Sequence, residues 1–188
     1  VGKERKRGRV VVISGPSGSG KTTICDRLGL DPRIRVAISA TTRPPRGAEK
    51  DGVDYHFFTT REFERLIAEG KLIEHAKVLG NYYGSLRAPM ERAVEAGLCY
   101  VLNIDVQGGS AIKKLLPDST FIFVVPPGEE ELRRRLEKRG TDSPEDIRRR
   151  LELARKEMEY GKYYDHVVVN DTVERAVDEI KKIIFGEK

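Results

Sequence analysis

No stretch of this 188-residue chain approaches the roughly 20 consecutive apolar residues that span a bilayer, and its amino end carries no apolar segment of signal-peptide type. A membrane-bound or exported protein is therefore not expected. Cysteine is scarce: Cys25 and Cys99 cannot build a disulfide framework, and their apolar neighbours predict reduced core thiols in a cytoplasmic protein. Cysteine, histidine and aspartate fall at no metal-ligand spacing, so no structural metal site is expected, and His56, His75 and His166 read as structural residues. Internal repeats and low-complexity linkers are missing as well. The length suits one domain, 1–188, with a sizeable core. Charge of both signs is abundant, 35 Lys and Arg against 30 Asp and Glu for a net +5, but no long basic stripe is interleaved with aromatics. That balance points away from a nucleic-acid groove and toward a small anionic ligand. The basic residues 2–9 read as a solvated terminus.

What is present begins at residues 10–13, an all-aliphatic run that predicts a buried parallel strand, with a helix starting at Thr22. Between them Gly15-Pro-Ser-Gly-Ser-Gly-Lys-Thr22 matches G-x-x-x-x-G-K-[ST], the phosphate-binding P-loop, in the strand-loop-helix setting that the motif needs. Its chemistry assigns Gly15, Ser17, Gly18, Ser19, Gly20, Lys21, Thr22 and Thr23 to a nucleotide phosphate. Backbone N–H groups and the helix N-terminus face the anion, Lys21 reaches the outer phosphates, and the Thr22 hydroxyl is the candidate ligand for Mg²⁺.

Further along, 34–38 predicts a short strand, and 40–52, with two prolines, two glycines and no apolar period, predicts a binding loop. Residues 53–58 read as a strand, 59–68 as a helix opened by a capping box, 72–79 as a strand, 80–85 as a turn and 88–96 as a helix. The strand 98–105 ends in Asp105, which should face the same crevice as the P-loop, because ligands of parallel sheets sit beyond the strand carboxyl ends. A helix at 106–115 and a strand at 120–125 follow. Two arginine-rich helices at 129–138 and from Pro144, the second with Ile147, Leu151, Ala154 and Met158 on one stripe, form a candidate mobile hairpin. A strand at 166–170 and a helix at 172–185 close the chain. The alternation predicts an α/β fold, a parallel sheet covered by helices on both faces. Its expected subregions are a core of 9–38, 97–127 and 157–188, an inserted lobe at 39–96 and a lid at 128–156.

Phosphoryl transfer between nucleotides brings several negative charges together, and cations and N–H donors must offset them. Arg43 and Arg46 on the proline-rich loop are placed to grip a second phosphate, and hairpin arginines to close over the transferring group. A phosphate-monoester acceptor is largely dianionic at neutral pH, so no general base is required.

Ser-x-Thr-Thr-Arg-Pro-Pro-Arg at 39–46, Gly-Val-Asp-Tyr-His-Phe at 52–57, Gly-Asn-Tyr-Tyr-Gly-Ser at 80–85, Ile-Asp-Val-Gln-Gly at 104–108, Arg-Gly-Thr-Asp at 139–142 and Val-Val-Asn-Asp at 168–171 together resemble guanylate kinase, over about Arg9 to the last residue. The resemblance implies a P-loop nucleoside monophosphate kinase that transfers the γ-phosphoryl group of ATP, bound with Mg²⁺, to GMP. By the resemblance, Ser39, Arg43, Arg46, Glu49, Tyr55, Glu74, Tyr83, Ser85 and Asp105 fall on GMP-site positions. Lys21, Arg43, Arg135, Arg139 and Arg150 fall on catalytic positions, and Asn170 lies near adenine. Hydroxyls of Ser39 or Ser85 would donate to guanine O6 while Glu74 and Asp105 accept from the ring N–H groups. The chain departs from the family pattern at Asn103, Ala48 and Val106. Two alternatives compete: a guanylate-kinase-like scaffold that binds phosphopeptides, and a small P-loop kinase acting on a phosphorylated sugar. Monomer and homodimer are both open.

Overall fold

Val11, Val12 and Ile13 expose no surface to solvent. A strand aliphatic on both sides must be covered on both faces, and β1 (Arg9–Ser14) is the middle strand of a five-stranded sheet. In this computed structural model the described residues are 7–78, 80–138 and 143–187. After β1 follow α1 (Lys21–Leu28), β2 (Ile34–Val36), β3 (Ser39–Thr41), β4 (His56–Phe57), α2 (Thr60–Ala68), β5 (Leu72–Val78), β6 (Asn81–Leu86) and α3 (Arg87–Glu95). Then come β7 (Cys99–Asn103), α4 (Val106–Leu115), β8 (Thr120–Val125), α5 (Glu129–Lys138), α6 (Pro144–Met158), a 3₁₀ turn at Glu159–Tyr163, β9 (His166–Val169) and α7 (Val173–Phe185).

The main sheet has the order β2-β7-β1-β8-β9, and every pairing in it is parallel. Because strand side chains alternate, Val11, Ile13 and Val101 pack on one face with Ile24, Leu28 and Ile180 of α1 and α7. Val12, Tyr100, Leu102 and Phe121 point the other way, onto Met90 and Ala93 of α3 and Ile112 of α4. The α/β architecture expected from the alternating pattern is the one observed. Both cysteines are buried free thiols in the first of these clusters.

A second, mixed sheet runs β4-β3-β6-β5. Two of its strands differ from the sequence-based expectation. Ser39–Thr41 is a strand rather than the start of the loop, and Asn81–Leu86 is a strand rather than a turn. The reason is tertiary: β6 is paired on both sides, with β3 and with β5, so ladder hydrogen bonds outweigh the weak strand preference of Asn, Gly and Ser. Gly84 is required there, since a Cβ would lie 2.7 Å from the Glu74 carbonyl oxygen and 3.2 Å from Phe63. Conversely, the strand expected over 53–58 shrinks to two residues. A register shift between Leu72 and Glu74 lets Leu72 pack with Phe63 of α2 while Ile73 enters the cluster of the main sheet, joining the two sheets.

α5 and α6 form a hairpin with a small core of its own, Leu132, Leu136, Leu151 and Ala154. Pro144 occupies the first turn of α6, where the sequence predicts it, and Ser143 caps the helix in a capping box with Asp146. Met158, expected on the buried stripe, is 40% exposed, because α6 gives way there to the 3₁₀ turn.

Candidate functional site

The loop 15–20 leaves the carboxyl end of β1 and enters α1 through Gly20, which is left-handed at φ 90°. Side chains are shut out of this turn: a Cβ on Gly20 would lie 2.3 Å from Asn170 Nδ2, and one on Gly18 would lie 2.7 Å from Leu132 Cδ1. α1 has no acidic residue in its first turn, so the positive end of the helix is unopposed from within. Lys21 Nζ donates to the carbonyls of Gly15 and, at 3.1 Å, Pro16. Thr22 and Thr23 are exposed in the first turn of the helix.

Three elements brace the loop from outside. Asn170, just past β9 and only 2% exposed, donates through Nδ2 to the Ser19 carbonyl at 2.7 Å. In this arrangement its side chain supports the back of the loop. Arg135 of α5, oriented by Glu131 at 2.8 Å, donates to the carbonyls of Ser19 at 3.3 Å and Asn170 at 2.8 Å. Glu157 of α6 accepts the Ser17 N–H at 3.2 Å. Arg150 lies half-buried on α6, and Arg139 lies outside the described residues.

The second half of the site is one face of the mixed sheet. Ser39 pairs with Ser85 and Ser85 with Glu74, so register alone sets the three in a row across β3, β6 and β5. Two residues along, Tyr83 takes the same face. Ser39, Tyr55, Glu74, Tyr83 and Asp105 line one cavity of about 230 Å³ between the mixed sheet and the start of α4. Ser85 Oγ donates to Glu74 Oε1 at 2.8 Å. Both carboxylates converge on Gly108: Asp105 Oδ1 accepts its N–H at 2.7 Å as the N-cap of α4, and Glu74 Oε2 stands 3.6 Å from where a Gly108 Cβ would be. Ile104 N–H donates to the Ile13 carbonyl at 3.1 Å, which sets Asp105 beside the strand that launches the P-loop.

At the far rim Arg43, 7% exposed, makes a bidentate pair with Glu49 at 2.8 and 2.9 Å, and Glu49 also accepts the Arg46 N–H at 2.7 Å. The Arg43 guanidinium carbon lies 5.2 Å from the Tyr55 ring centroid, and Tyr55 meets Tyr83 edge-on at 6.4 Å. The Arg46 side chain points to solvent. Thr41, unremarked in the sequence, is fully buried and its Oγ1 accepts the Arg43 N–H at 3.1 Å. Glu157 was missed as well, because one more glutamate on a helix rich in Glu, Lys and Arg looks like a solvated face.

Charges in the site are set by their neighbours. The Arg43 guanidinium first, then the Arg46 N–H, hold the Glu49 carboxyl down at about 2. Burial pushes the Glu74 carboxyl above the usual range, helped by the Asp105 charge and opposed by the Ser85 hydroxyl. Burial raises Glu157 too, against the Ser17 N–H and the Lys21 charge. Among the described residues no group of three or more His, Cys, Asp or Glu gathers to hold a metal, and no helix is long and apolar enough to cross a membrane.

A P-loop at the carboxyl end of the middle strand, with helices on both faces of a parallel sheet, defines a nucleotide-binding protein of the P-loop α/β class. A family model described as guanylate kinase matches residues 7–187. The guanylate kinase of Desulfitobacterium hafniense strain Y51 is 45% identical over 98% of this chain and 93% of its own length. That of Anaeromyxobacter dehalogenans strain 2CP-C is 49% identical over 99% and 84%. The crystal structure of guanylate kinase from Anaplasma phagocytophilum superposes with a TM-score of 0.79 at 37% identity, covering 97% of this chain and 87% of that one. The chain belongs to the guanylate kinase family.

Proposed function

We propose that this protein transfers the γ-phosphoryl group of ATP to GMP, giving ADP and GDP, in the cytoplasm, with Mg²⁺ accompanying ATP. The observation that carries the choice of acceptor is the row Ser39, Ser85 and Glu74, closed by Asp105 across one cavity. Guanine offers O6 as an acceptor and N1–H and N2–H₂ as donors, so the Ser39 hydroxyl can donate to O6 while Glu74, oriented by the Ser85 hydroxyl, and Asp105 accept from the ring N–H groups. Adenine presents the opposite pattern and would leave buried groups unpaired. A phosphorylated sugar has no edge for this row to read.

The GMP phosphate would lie against Arg43, Arg46, Tyr55 and Tyr83. In the free site Glu49 holds Arg43 in its fork, so the guanidinium is oriented before the phosphate arrives. Already dianionic near pH 7, that phosphate attacks without a general base. Lys21 leaves the carbonyls of its own loop for the outer phosphates, and Arg135 and Arg150 add positive charge where it develops on the transferring group. Thr22 suits a Mg²⁺ ion held chiefly by phosphate oxygens and water: the donor is a single exposed hydroxyl, with no carboxylate cage among the described residues. When bound, the ion would neutralise phosphate charge. The 39–96 and 128–156 segments act as the acceptor lobe and the lid of this reading.

A coupled assay of ADP release across GMP, AMP, CMP and UMP tests the proposal. Turnover with GMP is expected to exceed the others by at least about 10²-fold, and equal rates would refute it. The phosphopeptide-scaffold alternative predicts binding of phosphopeptide rather than GMP, which a direct comparison of the two ligands distinguishes.

A further inference from the structure

The α5–α6 hairpin touches the P-loop through three kinds of contact. Leu132 packs against Gly18, Arg135 donates to the Ser19 carbonyl, and Glu157 accepts the Ser17 N–H at 3.2 Å. The third differs in kind. Glu157 is half-buried and carries a charge whose burial is costly, yet it sits where polyphosphate, a far larger negative charge, is expected. Electrostatics alone would disfavour a carboxylate at that place, and what the carboxylate supplies there is geometric, an acceptor for the Ser17 N–H.

Peptides 15–17 are held at both polar ends. Lys21 Nζ takes the carbonyls of Gly15 and Pro16, while Glu157 takes the next N–H. Once Lys21 turns to a phosphate, its grip on those carbonyls is lost, and the Glu157 bond still holds the segment. Arg150 and Glu157, seven residues apart, share one flank of α6, so the helix that orients the loop also presents the arginine assigned to the transferring group.

We infer that Glu157 is a positioning residue of the phosphoryl-donor end: by accepting the Ser17 N–H it holds the lip of the P-loop in register with α6 while Lys21 engages nucleotide. This rests on ATP being the ligand of the P-loop.

The test separates the hydrogen bond from the charge. Glu157→Gln removes the charge and keeps an oxygen acceptor, whereas Glu157→Ala removes both. In ADP-release assays with the full chain, E157A is expected to show a KM for ATP about three- to tenfold above that of E157Q, the range for loss of one hydrogen bond to a part-buried N–H. E157Q should lie at or below the wild-type value, because a repelling charge is gone. KM for GMP should stay within about twofold across all three. Hydrogen exchange of the Ser17 amide should quicken in E157A and not in E157Q. Glu157→Leu, which preserves helix propensity and side-chain bulk, should behave as E157A and serves if E157A does not fold. Equal KM values for ATP in E157A and E157Q, or a matching rise in KM for GMP, would overturn the inference. Failure of the wild-type protein to turn over ATP and GMP would refute the functional reading instead.

Discussion

In the proposed function, Glu74 carries a selectivity and a pH dependence in one side chain. Burial raises its carboxyl above the ordinary glutamate range, with the Asp105 charge adding to the shift. A raised folded-state value means that its contribution to folding is complete when it is protonated and is lost as pH rises through that value. Guanine N–H groups call for the opposite, ionised state. KM for GMP is therefore expected to rise as pH falls through the raised value, before the pH at which an exposed glutamate protonates, and steady-state kinetics across that interval measure it. Glu74→Gln should abolish this limb and reduce GMP-over-AMP discrimination by about 10- to 100-fold, the cost of one charge-assisted hydrogen bond. The residue types at 39, 85 and 105 were legible in the sequence through the family motifs, and Glu74 through the resemblance over the whole chain. That Ser85 is spent on Glu74, and that Asp105 Oδ1 is spent on capping α4, was not, because both follow from which strands and turns meet.

At the scale of elements, helices announced themselves and the mixed sheet did not. The Thr59 capping box stands where the sequence put it, because a cap is a local hydrogen-bonding pattern spanning four residues. β6 could not be seen locally: Asn81, Gly84 and Ser85 read as a turn, and only partners on both sides make the segment a strand. Its least replaceable residue is Gly84. Replacement by Ala would drive a methyl toward the Glu74 carbonyl and spread the β5–β6 pair. The expected loss of stability is about 1–3 kcal/mol, read by denaturant unfolding. KM for GMP should rise with that for ATP unchanged, since the displaced strands carry Glu74 and Ser85 rather than the P-loop.

On the scale of the whole molecule, two sheets meet at a crevice and the α5–α6 hairpin packs on the loop at one end of it. Metal removal should then act on turnover and not on the fold: EDTA is expected to abolish ADP release while leaving the thermal midpoint of the nucleotide-free protein within about 1 °C, because metal stabilises only a state that binds it. A large fall in that midpoint would mean a structural metal. Taken by itself, the sequence determined the parallel α/β core, the P-loop and the set of residues that mark the family, since aliphatic periodicity, a glycine-lysine loop and capping signals are properties of short segments. Tertiary structure decided the rest. Pairing register put Ser39, Ser85 and Glu74 in one row, and the docking of α6 brought Glu157 to an amide 140 residues away in the chain. Neither placement has a local signal, because each depends on surfaces that form only when distant segments bury one another.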